Sequence, residues 1–368
     1  MPAIRRIHYS TSALPLLIGL GMVAAASAAV ANVTVAPGYS LSVLAGPLAG
    51  SSAPDSIAVA GGDVFVGYGN GGNPDGSGGA MSTIAEYSSK GALVGSITVT
   101  GHNDGLRYNA GTGQLWAIQN EDANPNLVLI NPTTLSPSTP TSFSSTPHGG
   151  GYDDVAFGPN GTYISASNPH DNPNTAPAIV SATLAGGMVN VAGLMNGNAI
   201  ATVINGGGTT TLNLQDPDSM IFNHSGALVL DSQADQQLVY VNGVGGLTLG
   251  VSVLNLPSTV DDTAFGNGGR QTLLFTDRGS GIVYALTGAF GFNQAISAAD
   301  TLNEIVSVNQ TTGAFTPLVT GLNGPHGEVF TVLASSAPEP ATWSMMIAGL
   351  LGAGALLRRR RPLAAAGA

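Results

Sequence analysis

The chain has 368 residues, among them 52 Gly and 22 Pro, with no Cys and only 8% charged side chains. Without Cys there is no disulfide, no thiolate metal site and no cysteine nucleophile, so an exported body must hold itself together by burial and hydrogen bonding. The formal net charge of −11 is unevenly spread, since Arg5, Arg6 and Arg358 to Arg361 sit at the ends while residues 32–337 set only Lys90, Arg107, Arg270 and Arg278 against 20 of the 21 Asp and Glu; such a body repels phosphate backbones, which excludes nucleic acid as a partner.

In chain order, residues 1–31 have the layout of a secretory signal helix: Arg5 and Arg6 lead, residues 13–26 are apolar, and Ala29-Val30-Ala31 offers small residues at the cleavage positions Ala29 and Ala31. The mature chain is then expected to begin at Asn32.

From residue 33 to 333 no 3.6-residue apolar rhythm is sustained. Short β-rich runs alternate with Gly, Asn, Asp and Pro turns, the pattern of an all-β body over residues 32–334. One phrase recurs at intervals of 44 to 64 residues: Pro54-Asp55-Ser56-Ile57, Asn103-Asp104-Gly105-Leu106, Asp153-Asp154-Val155-Ala156, Pro217-Asp218-Ser219-Met220, Asp261-Asp262-Thr263-Ala264 and Pro325-His326-Gly327-Glu328. A second and a third strand usually follow, such as residues 63–66 and 83–87, or 114–118 and 127–130. Four strands in about 45 to 50 residues is the length of a propeller blade. Six blades are predicted, with residues 39–44 closing the ring beside the last; five larger blades with an insertion near residues 288–301 are the alternative. A parallel β-helix would need shorter, more uniform repeats.

The tail, residues 335–368, reads Pro338-Glu339-Pro340, then Trp343, an apolar run containing Leu350, Leu351, Leu356 and Leu357, then Arg358, Arg359, Arg360 and Arg361. As a helix, residues 343–357 span about 22 Å against a hydrocarbon core of about 30 Å, a marginal transmembrane segment whose arginines stay inside.

Two resemblances rest on these residues. The tail resembles the PEP-CTERM sorting signal, which implies processing by an exosortase near Pro338-Glu339-Pro340, transient residence in the inner membrane, and delivery to the cell surface or extracellular matrix. There the protein would bind partners such as exopolysaccharide or surface proteins. The repeated phrase resembles β-propeller repeats of the NHL and gluconolactonase-like type, where an Asp-led phrase opens the innermost strand; this implies the alternative function, an axial-metal hydrolase or lyase.

In a propeller the openings of the inner strands converge on the central channel. That places Asp55, His102, Asp104, His148, Asp153, Asp154, Asp216, Asp218, Asp261, Asp262, His326 and Glu328 in one ring. Crowded carboxylates raise each other's pKa or recruit a cation, with oxygen ligands favouring Ca²⁺ or Mg²⁺; His102, His148 and His326 would offer three imidazoles to Zn²⁺ or Fe²⁺. A plainer role is that each Asp accepts hydrogen bonds from turn N–H groups and each His lines the channel. The oxygen-rich runs at residues 120–124 and 168–174 lack the spacing of a calcium loop. The Gly runs lack the Lys and helix of a phosphate loop, no Gly-x-Ser-x-Gly elbow occurs, and aromatics at 6% are too few for a sugar-stacking face.

Overall fold

The computed structural model describes residues 33–331. The signal segment with Ala29 and Ala31, and the sorting tail from Pro338 to Arg361, lie outside the described residues. Among the described residues no helix is long and apolar enough to cross a membrane.

The body is an all-β propeller. Each phrase opens an inner strand: Pro54–Ala60, Asn103–Asn109, Val155–Gly158, Pro217–Phe222, the first residues of Thr263–Asp277, and Pro325–Thr331. Neighbouring inner strands touch in that order, and the last touches the first. From each of the first four, the chain meanders outward in antiparallel pairs, as in Pro54–Ala60, Asp63–Tyr68, Met81–Tyr87 and Leu93–Thr100. Antiparallel pairing dominates, the opposite of a parallel β-helix; among named strands the parallel exception is the short contact of Ile200–Val203 with Gly250–Asn255.

Burial explains the composition of the strands. Middle strands such as Asp63–Tyr68 and Gln114–Gln119 are buried on both faces beyond their first residue, because every sheet is packed between two others. They therefore read as continuous apolar runs instead of alternating ones. Outer strands such as Leu93–Thr100 expose most of one face. Apolar clusters fill the wedges between successive sheets, for example Ile84, Leu106, Leu115 and Val128 between the first two.

In the second, fourth and sixth phrases the residue after the leading Asp or His lies where inner strands approach closely. Ser219 Oγ donates to the Asp261 carbonyl of the next inner strand at 2.7 Å. A Cβ on Gly105 would collide with the Asp153 carbonyl oxygen, and one on Gly327 with that of Asp55. At Gly105 and Gly327 only hydrogen fits without moving the facing backbone.

Counted by inner strands the ring has six members; counted by hydrogen-bonded sheets it has five. The difference comes from the two longest strands, Thr263–Asp277 and Ile282–Ala299, which pair along nearly their whole length. Their near ends, Thr263 to Phe265 and Ala295 to Ala299, continue into Glu304–Val308 and Phe315–Thr320. Their far ends lie between inner strand Pro325–Thr331 and the N-terminal strand Ser40–Ala45. Residues 271–275, which follow the phrase at residues 261–264 at the spacing of a second strand, thus serve the next member. Residues 288–301, the insertion of the five-blade alternative, belong mostly to a strand.

Gly105→Ala should cost about 2 kcal/mol, because the new methyl can be accommodated only by moving backbone. The measurement is urea unfolding, with a lowered midpoint and unchanged slope expected; an unchanged midpoint would mean that the two inner strands separate freely.

Candidate functional site

At the end of the ring where the inner strands begin, an open chamber of about 210 Å³ lies on the axis. Nine carboxylates line it: Asp55, Asp104, Glu121, Asp153, Asp154, Asp218, Asp261, Asp262 and Asp300. Facing them are two guanidiniums, Arg107 and Arg278, and one imidazole, His326.

Arg107 forms the floor. From Asn103–Asn109 its Nε lies 3.1 Å from both carboxylate oxygens of Asp154, and its Nη2 lies 2.7 Å from Asp154 Oδ2 and 2.8 Å from Asp262 Oδ1. Burial works against its charge, but the two carboxylates more than offset this and hold its pKa above the usual value. Asp154 also accepts the Met220 N–H at 3.0 Å. On the far side of Arg107 the channel continues as an apolar chamber of about 320 Å³, walled by Ala58, Val155, Phe157, Ile221, Phe222 and Val329.

The remaining carboxylates are less well compensated. Burial pushes Glu121, Asp153, Asp218 and Asp261 well above the ordinary carboxylate range, with neighbouring carboxylates adding to it. Asp262 is raised by burial despite Arg107, and Asp55 by burial despite His326 and Arg278. Glu121 and Asp153 are close enough for one carboxyl to bond the other, so the pair retains a proton more readily than either residue alone. Among the described residues Asp153 and Asp218 have no hydrogen bond from a backbone or cationic donor, although Asp153 is only 5% exposed.

The expected ring assembles in part. Asp55, Asp104, Asp153, Asp154, Asp218, Asp261, Asp262 and His326 face the chamber. Apart from Asp154, bonded by a neighbouring strand, none of these carboxylates accepts a backbone N–H, so they are not turn caps. Asp216 does take that role, accepting the Ala234 N–H at 3.2 Å. Glu328 is fully buried beside Asp231, Asp262 and Ala264.

The three imidazoles do not form one set. His326 converges with Asp55 and Asp261, and His102 with Asp104 and Glu121, the candidate ligand atoms in each group lying within 4.8 Å of one another. His102 Nδ1 is 2.8 Å from Asp104 Oδ2, which fixes the carboxylate that reaches the chamber. His148 is turned away: its Nε2 bonds the Gly151 carbonyl, its ring packs on Tyr152, and burial lowers its pKa.

Sequence reasoning missed Glu121, Asp300, Arg107, Arg278 and Gln233 as chamber residues. Glu121 and Asp300 lie on connections beyond the inner strands, so the phrase does not mark them. The two oxygen-rich runs meet each other, Asn168 Nδ2 donating to Asp122 Oδ1 at 2.6 Å.

No family model and no curated protein matches the chain. Solved structures similar to it include a streptogramin B lyase (12% identity, 82% of this chain and 76% of that one, TM-score 0.44). Others are the periplasmic gluconolactonase of Pseudomonas aeruginosa (11%, 76% and 88%, 0.45) and the virginiamycin B lyase of Staphylococcus aureus (11%, 80% and 96%, 0.42). At such identities and TM-scores these likenesses bear no weight on activity.

The raised carboxylates set a pH dependence. Their unfolded pKa is about 4 and their folded values are higher, so the fold prefers them protonated. Their contribution to stability is full below about pH 4 and is lost as pH rises through the folded values. In EDTA the melting temperature is therefore expected to be higher near pH ~5 than near pH ~7.5; a thermal melt showing the reverse would contradict the charge balance described here.

Proposed function

We propose that the chamber holds one divalent cation on Asp55, Asp261 and His326, and that the protein is a metal-dependent hydrolase or lyase for a small substrate. The observation that supports this best is the donor geometry at His326. Its Nδ1 faces the Gly324 carbonyl at 3.1 Å, which assigns the proton to Nδ1 and leaves the Nε2 lone pair on the side that Asp55, Asp261 and the Arg278 guanidinium share. One imidazole and two carboxylates suit Mn²⁺, Zn²⁺ or Fe²⁺, and the surplus carboxylates also tolerate Ca²⁺. The donors therefore fit a cation.

A bound ion would supply Lewis acidity toward a substrate oxygen. The chain's own groups do the rest. Gln233 Nε2 donates to Asp261 Oδ1 at 3.2 Å and fixes that ligand's rotamer. The Glu121–Asp153 pair, whose affinity for a proton burial raises well above that of an ordinary carboxylate, is the chamber's proposed general acid. Arg107, bonded to both Asp154 and Asp262, fixes the position of these two carboxylates beneath the site.

The setting we propose is the one that the terminal segments imply: export, removal of residues 1–31, exosortase processing of the tail, and a cell-surface or extracellular location where exopolysaccharide or surface proteins are neighbours. Intact-mass measurement of the protein recovered from the envelope should give an N-terminus at Asn32 and loss of the residues after the Pro338-Glu339-Pro340 region. An uncut chain would refute this processing.

Elemental analysis of the exported protein, purified without chelator, should find one divalent metal per chain. EDTA should remove it and lower the melting temperature, and His326→Ala should lack it while keeping the far-ultraviolet circular dichroism of the wild type. Wild-type protein with neither metal nor response to EDTA would sink the enzymatic reading.

A further inference from the structure

The chamber's second guanidinium lies at the cation position itself. Arg278 directly follows the strand Thr263–Asp277. One of its nitrogens, Nη1, is 3.3 Å from Asp55 Oδ2 and 3.2 Å from His326 Nε2. With the His326 proton on Nδ1, the guanidinium donates to the Nε2 lone pair. Asp55 and His326 are also two of the three groups whose candidate ligand atoms, with Asp261, lie within 4.8 Å of one another.

The partners differ in freedom. Asp55 and His326 are each 7% exposed and set in the wall, whereas the Arg278 side chain is 40% exposed. Arg107 has no such freedom, being 15% exposed and bonded to carboxylates on two sides. A lone pair on Nε2 cannot serve an N–H donor and a metal ion together, and two positive charges cannot share the Asp55 carboxylate at contact distance without strong repulsion.

We propose that Arg278 is a built-in counter-cation: it occupies the site between Asp55 and His326 in the metal-free chain, and an entering divalent ion displaces it to the chamber mouth, where it binds the anionic group of the substrate. This rests on the cation site proposed above and adds the substrate class, a small molecule bearing a carboxylate or similar anion. Where it now stands the guanidinium is held by Asp55 first, with Asp104, Asp261 and Glu121 adding to the attraction. A chamber with nine carboxylates repels anions. With Arg107 committed to its floor, the ion and the released Arg278 are the positive groups among its described residues that an incoming anion meets.

The test is calorimetric titration of the metal-free, otherwise intact exported protein with Mn²⁺, comparing wild type, Arg278→Gln and the charge-retaining Arg278→Lys. Arg278→Gln should bind Mn²⁺ more tightly, by roughly fivefold, the scale of a partly exposed charge pair, with Arg278→Lys between it and the wild type. Displacement is read separately by phenylglyoxal modification, followed by mass spectrometry of the peptide containing Arg278: Mn²⁺ should raise its rate in the wild type. Malonate, as a dicarboxylate probe, should bind Mn²⁺-loaded wild type more tightly than loaded Arg278→Gln. Equal or weaker Mn²⁺ affinity in a folded Arg278→Gln, or labelling that Mn²⁺ leaves unchanged, overturns the displacement while leaving the cation site standing. Equal malonate affinity overturns the anion role. Failure of wild type and both variants alike to bind Mn²⁺ overturns the cation site, and this inference with it.

Discussion

The centre of the ring is organised by one guanidinium. Arg107 reaches from the second inner strand to Asp154 at the start of the third and Asp262 at the start of the fifth, and Asp154 in turn receives an N–H from the fourth. Inner strands of four sheets are thereby tied at one level. Two buried carboxylates at this separation would repel each other strongly with no cation between them. The bidentate geometry also fixes direction, which a lysine's point charge would not. Above this level the channel is polar and open to ions; below it the wall turns apolar, because the residues that follow along each inner strand also feed the wedges between sheets.

The general plan was legible because a repeat announces itself. The phrase marked all the inner strands, and the middle strands were readable as β-branched and aromatic runs. What the spacing concealed was the exchange of strands between the last two members of the ring: residues 271–275 follow their phrase at an ordinary distance but pair with Pro325–Thr331. Nothing local distinguishes a hairpin that stays within its sheet from one that crosses to the next.

The site was legible in outline and wrong in some particulars. Convergence of the leading Asp residues followed from topology alone. His102 and His148 were grouped with His326 because each sits close to a phrase, yet a shift of one or two residues at a strand entrance decides whether a side chain faces the axis or the wedge. A column-by-column comparison of the copies holds a signal that composition does not. Three residues after the leading Asp or His, the copies carry Ala58, Arg107, Phe157, Ile221, Phe265 and Val329, so the single cation stands out. One position earlier, Glu328 stands among Ile57, Leu106, Ala156, Met220 and Ala264 and proves as buried as they are. Glu121 and Asp300 had no such marker, since they reach the chamber from connections whose lengths vary.

The shared hairpin of Thr263–Asp277 and Ile282–Ala299 also bears on the history of the chain. Propellers grow and shrink most simply by copying or losing one repeat as a contiguous stretch of gene. Here no cut after residue 262 releases one repeat and leaves the next whole, because the segment that supplies the middle of the last member is enclosed within the sequence of the one before it. Duplication remains open to the first four repeats, but the final two can be inherited only as a pair. The N-terminal strand Ser40–Ala45, paired to that same hairpin, commits the beginning of the body to their fate as well.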